Sequence, residues 1–155
     1  MTNNKWLIAY DFSPEANKIV EIAAGELEKL NGEMLLLHVY HVPPPPSAFT
    51  ALASEMTYAS SQELGEALYG NSQKHLDAIA ADIKRRFPHV TAQVVVREGD
   101  AVDEILEVAK EKEVGRIVVG THGHTGVERL FLGSVAEKVV RLAPVSVLVL
   151  KTGKA

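Results

Sequence analysis

Five short apolar runs, separated by segments of helical period, constrain the fold of this chain more than any other feature. They read WLIAY at 6–10, MLLLHVY at 34–40, AQVVV at 92–96, RIVVG at 116–120 and VSVLVL at 145–150. Each is dense in Val, Ile and Leu instead of alternating with polar residues, the pattern of parallel strands covered by helices on both faces. Parallel strands need long crossovers, and the intervening segments have the length and period to be helices. The order therefore predicts an α/β sandwich. At 155 residues, 46% of them hydrophobic, the chain can bury one sizeable core, so a single domain over 1–155 is expected.

The helical segments carry their own signals. Ala16, Ile19, Val20, Ala23, Ala24 and Leu27 recur on one face of a helix that Ser13-Pro14 opens, with the serine as N-cap and the proline at the first position, and that Asn31-Gly32 stops. A second helix is expected at about 62–87, ended by Pro88. A third is expected at about 101–113, with Asp100 as N-cap and Val102, Ile105, Leu106 and Ala109 inward. A fourth, about 135–142, stops before Pro144. The stretch 42–61 is expected to be irregular, because four consecutive prolines remove backbone donors and favour an extended polyproline conformation. It reads as a stiff surface connection, with a ligand for a proline-binding domain as the alternative.

Composition removes several functions. A net charge of −4 supplies no general attraction to nucleic acid or anionic lipid. Without cysteine there are no disulfides, no thiol catalysis and no thiolate metal sites. The start has no signal-peptide pattern and no segment approaches the roughly 20 apolar residues of a membrane span, so no membrane insertion and a cytoplasmic location are expected.

The stretch GTHGHTGVERLFLGS (120–134) follows the fourth run and leads into the fourth helix. In open parallel sheets, ligands bind beyond the carboxyl ends of strands, where helix N-termini offer free N–H groups to anions. The stretch lacks the lysine of a Walker loop and the spacing of a dinucleotide fingerprint. What it has is Gly120-x2-Gly123-x9-Gly133-Ser134, glycines that let backbone approach a polyphosphate and a hydroxyl at a helix start. Ser134 with Glu137 also reads as a capping box, and the glycines as turn residues. His122 and His124 stand without the carboxylate or cysteine neighbours of a metal site, so no metal ligands are assigned. Arg129 reads as a solvated charge or a phosphate contact.

Taken together, IAYDFSPEA at the first strand end, LLLHVY in the second strand, GTHGHTGVERLFLGSVAEKVV and the final PVSVLVLK resemble the universal stress protein family over essentially the whole chain. The glycine spacing resembles that of its ATP-binding branch. The resemblance implies a Rossmann-like, three-layer fold with a five-stranded parallel sheet of order 3-2-1-4-5. It implies that Asp11 contacts ribose hydroxyls, that backbone at Val39 meets the adenine edge, and that Gly120 lies near the ribose. Gly123, Gly133, Ser134 and Val135 would surround the phosphates. It implies ATP as ligand, with magnesium held mainly by the phosphates because the loop supplies no carboxylate cage, Glu128 not being assigned. It also implies a homodimer through the last strand (145–150, with Val145 and Leu150 at its ends), whose uncharged, proline-free edge would otherwise stay open.

The resulting expectation is an ATP-binding stress-response or regulatory module, acting as a dimer and on an unidentified protein partner. Binding is better supported than catalysis, so any ATP hydrolysis is expected to be slow. The alternatives are a hydrolase or phosphotransferase with His122 or His124 as base, and a nucleotide-free dimeric scaffold.

Overall fold

The computed structural model describes residues 3–44, 51–121 and 132–152, and for 51–58 the backbone alone. The elements are β1 (Lys5–Ala9), α1 (Pro14–Leu30), β2 (Glu33–Tyr40), α2 (Ala51–Arg86), β3 (Thr91–Glu98), α3 (Ala101–Glu111), β4 (Arg116–Gly120), α4 (Ser134–Leu142) and β5 (Ser146–Leu150). All strand pairs are parallel, and the sheet order is β3-β2-β1-β4-β5. Helices cover both faces.

The unbroken apolar runs make sense once the period of two is applied to them. Trp6, Ile8, Met34, Leu36 and Val118 point to the α1/α2 side, and Leu7, Leu35, Leu37, Ile117 and Val119 to the α3/α4 side. Consecutive residues thus enter two separate cores, and the fully buried positions of β1, β2 and β4 are all apolar, with Lys5, Glu33, His38 and Arg116 nearer the strand ends. Each fully buried Leu, Ile or Val contributes about 1.5–3 kcal/mol relative to exposure. On α1 the buried face consists of the six residues that the sequence pattern selects.

Helix ends follow sequence chemistry with one large exception. Asn31 takes a left-handed conformation (φ 50), and Gly32 N–H reaches back to the Leu27 carbonyl at 3.0 Å, closing α1. Asp100 caps α3, its Oδ1 accepting from Val102 N (3.0 Å) and Asp103 N (3.1 Å). Asp100→Ala is therefore expected to lower stability by about 1 kcal/mol, measurable by urea titration. The exception is α2. It starts at Ala51 and not near 62, because 51–61 (ALASEMTYASS) contains neither proline nor glycine and is rich in helix formers, so the influence of the proline run ends sooner than expected. At 36 residues α2 is roughly 54 Å long, against roughly 26 Å for each of the eight-residue strands it covers. Its first half overhangs the carboxyl ends of the strands.

After β3 the chain returns to the centre of the sheet and adds β4 on the other side of β1. The crossovers α1 and α2 therefore lie on one face and α3 and α4 on the other, and a crevice opens between the carboxyl ends of β1 and β4. This switch point positions the site.

Candidate functional site

The crevice contains a cavity of about 400 Å³. Of the seven residues singled out from the sequence, Asp11, Val39, Gly120, Gly133, Ser134 and Val135 all line it. Gly123 lies outside the described residues, as do His122, His124, Glu128 and Arg129. Residues from four separate stretches of chain thus meet around one volume.

On the β1 side, the strand ends in a sharp turn. Tyr10 N–H extends the ladder by one bond to the Leu37 carbonyl (2.8 Å), and Asp11 Oδ1 then accepts from Ser13 N–H (2.9 Å). Between them Phe12 has φ 61, a region that costs a bulky side chain free energy. Its ring is held edge-on against Tyr10, His38 and His75, with centroids 5.1, 4.5 and 4.9 Å away. His38 Nδ1 lies 2.8 Å from the Tyr10 carbonyl, which can only accept, so this nitrogen carries the proton. Burial, with the neighbouring Asp11 charge adding to it, pushes the Tyr10 phenol up, and the neutral hydroxyl donates to Asn17 Oδ1 at 2.8 Å. The aromatic clasp was not legible in the sequence, because His75 comes from the distant α2.

The turn also frees β2. The Leu37 carbonyl faces β1, and in a strand residues two apart direct their backbone groups to the same side. Val39 therefore directs its N–H and C=O towards β1, whose last paired residue is Ala9 opposite Leu37. A donor and an acceptor, side by side at the cavity wall, suit the edge of a planar heterocycle.

On the β4 side, Thr121 N–H donates to the Leu150 carbonyl (3.2 Å), and Gly133 N–H donates to the Thr121 carbonyl (2.7 Å). The last bond pins the start of α4 beside the end of β4, so the two ends of the glycine stretch meet. Gly133 is itself the N-cap (φ −59, ψ 155), and Ser134 is the first helical residue. The capping-box reading of Ser134 is corrected accordingly: with Gly133 fixed by Thr121 the helix starts one residue early, and no side chain caps it. Ser13 does occupy the N-cap position of α1, but its side chain makes no capping bond either.

The electrostatics are asymmetric. Asp11 places a carboxylate at the β1 side, whereas the start of α4 presents uncapped N–H groups and the positive end of its dipole. Among the described residues no Lys or Arg lines the cavity. Nor do three or more His, Asp or Glu side chains among them form a metal-holding group. No helix among the described residues is long and apolar enough to cross a membrane.

A parallel sheet of this order, with its cavity at the switch point and a helix N-terminus in the wall, defines a Rossmann-like fold of the nucleotide-binding type. The chain belongs to the universal stress protein family, whose sequence model, described as "Universal stress protein family", matches residues 2–151. Universal stress protein YxiE of Bacillus subtilis is 30% identical over 149 residues, 96% of this chain and 99% of that protein. A universal stress protein of Methanothermobacter thermautotrophicus is 48% identical over 65 residues, 42% of this chain and 44% of that relative. Among solved structures, universal stress protein UspA from Lactobacillus plantarum has a TM-score of 0.79 at 20% identity, covering 97% of this chain and 99% of its own. A universal stress protein in complex with cAMP (TM-score 0.61, 19% identity, 99% of this chain and 100% of that one) shares the fold. So does one from Archaeoglobus fulgidus in complex with dAMP (TM-score 0.56, 19% identity, 96% and 98%). The sheet order implied by the resemblance is the order observed.

Proposed function

We propose that this protein is an ATP-binding regulatory module of the stress response, a single cytoplasmic domain that works as a homodimer and changes a partner contact with its nucleotide state. The observation that carries the nucleotide reading is the convergence of Asp11, Val39, Gly120, Gly133, Ser134 and Val135 on one cavity. Each wall offers what one part of ATP requires. The Val39 backbone suits the adenine edge, the Asp11 carboxylate accepts from ribose hydroxyls near Gly120, and the start of α4 receives the phosphates. Gly123 is assigned to the phosphates with them. The cAMP and dAMP complexes of structural relatives support an adenine nucleotide as the ligand class.

Magnesium fits this donor set as an ion carried by the phosphates, since Asp11 is the cavity's one carboxylate among the described residues and Ser13 N–H already engages it. It would add charge neutralisation there. The chain's own groups bind and orient. With backbone N–H groups in place of cationic side chains around the phosphates, the described walls favour holding ATP over turning it over. The reading is tested by denaturing protein purified without added nucleotide and identifying what is released by mass spectrometry. An adenine nucleotide is the expected result. Its absence, together with no binding at millimolar ATP, would refute the assignment.

For the dimer, the support is β5, an edge strand with an uncharged sequence beside the exposed Val140 and Leu142 of α4. Leu150 directs its carbonyl to Thr121 across β4, so Val147 and Val149 direct their backbone groups outward, where a second copy can pair. Val149→Pro removes an outward N–H without touching the ladder to β4. The variant is expected to sediment as a monomer with an unchanged circular dichroism spectrum, and an unchanged dimer mass would count against this interface.

A further inference from the structure

Three helices begin in the wall of the cavity, and they treat their first turns differently. α3 is closed by the Asp100 carboxylate. α4 starts on a glycine and has no side chain to cap with. α1 starts on Ser13, a residue type that caps well, in the extended conformation (φ −68, ψ 157) that suits capping, and yet its side chain caps nothing. The hydroxyl makes no hydrogen bond among the described residues, although Ser13 is only 4% exposed and lines the cavity. Buried hydroxyls are paired in nearly all folded proteins, because leaving one unpaired forfeits its interaction with water.

We infer that the Ser13 hydroxyl is a ligand contact that reads a sugar hydroxyl of the nucleotide together with Asp11. The inference rests on the nucleotide reading above and adds a residue to it. Asp11 Oδ1 is held by Ser13 N–H, which leaves Oδ2 to the ligand, and an ionised carboxylate can only accept. Ser13 Oγ supplies the donor that Asp11 lacks. A ribose hydroxyl, or two adjacent ones, can donate to Asp11 Oδ2 and accept from Ser13 Oγ, so the pair matches both halves of the sugar's hydrogen-bonding capacity. The Asp11 charge also disfavours an anion at the start of α1, which leaves the phosphates to α4 and orients the ligand. A hydroxyl at this position therefore acts on the specificity of binding and adds little to the stability of the helix.

The test compares wild type and Ser13→Ala by calorimetric titration with ATP, 2′-deoxy-ATP and 3′-deoxy-ATP, alongside the melting temperatures of the ligand-free proteins. Ser13→Ala is expected to weaken ATP about three- to tenfold, with the melting temperature unchanged. One of the two deoxynucleotides should be weaker than ATP in wild type by a similar factor and lose nothing further in the variant. Asp100→Ala provides the reference for a helix that has lost a working cap. A melting temperature lowered as in Asp100→Ala, with ATP affinity intact, would show that the hydroxyl caps α1 and would overturn the inference. An equal loss for all three nucleotides would remove the sugar from it. If wild type binds none of the three, the nucleotide reading falls, and this assignment with it.

Discussion

Gly133→Val is expected to weaken ATP binding by about 10- to 100-fold, the effect of overfilling a closely packed site by a branched side chain. The backbone at Gly133 (φ −59, ψ 155) is open to any residue, so the substitution introduces no dihedral strain. Its N–H would still bond to the Thr121 carbonyl, and the chain ends at 121 and 133 would remain joined. What changes is the wall itself, where the phosphates are proposed to approach backbone that has no Cβ. Valine is a poorer N-cap than glycine, which costs at most about 1 kcal/mol, or roughly 2–4 °C in melting temperature for a chain of this size. The two quantities therefore separate: a large loss of affinity measured by titration calorimetry, and a small loss of stability measured by scanning calorimetry. Equal affinities in two well-folded proteins would place the phosphates elsewhere.

The parts of this molecule that were legible in the sequence are those decided by local pattern. The central strands were legible because doubly covered parallel strands are apolar at consecutive positions, as Leu35, Leu36 and Leu37 are, and the edge strands β3 and β5 because each keeps a short Val- or Leu-rich run. The α1 face and the Asp100 cap follow from a periodicity of 3.6 and from one carboxylate at a helix start. The start of α2 was not legible, because the polyproline signal at 43–46 is strong locally while helix propensity over 51–61 accumulates only gradually. Ser134 was misread as a cap because S-x-x-E is a local motif, and the Thr121 bond that fixes Gly133 as N-cap spans the glycine stretch. At the candidate site, the family resemblance named six described positions that line one cavity, but how the walls are built depends on tertiary contacts. Phe12 is an ordinary residue in the sequence and is held at φ 61 by Tyr10, just past β1, and by rings from β2 and α2. That the Ser13 hydroxyl has no partner among the described residues is likewise invisible in the sequence, since Ser-Pro at a helix start looks like a sufficient reason for a serine.

Gly115→Ala is expected to be the converse of Gly133→Val, costing stability and sparing the site. Gly115 stands just before β4, at the end of the sheet opposite the cavity, and its N–H donates to the Lys5 carbonyl at 2.8 Å. A Cβ added there would collide with the Asn3 carbonyl oxygen and lie 2.8 Å from Asn3 Cβ. The first obstacle is backbone and cannot swing aside as the tip of a side chain would. Relief requires moving residues 3–5, which lead into β1, or the start of β4, and these strands are paired from Trp6↔Arg116 onwards. Strain of this kind costs roughly 3 kcal/mol or more, which corresponds to a fall in melting temperature of about 6–12 °C. Because the disturbance begins where β1 and β4 start and the cavity lies where they end, ATP affinity measured well below the transition should stay within about twofold of wild type. A Gly115→Ala protein that melts normally would mean that the chain before β1 yields without cost. One that folds well but fails to bind ATP would mean that the two ends of the sheet are mechanically coupled, and that the separation between a stabilising glycine and a ligand-facing one does not hold in this fold.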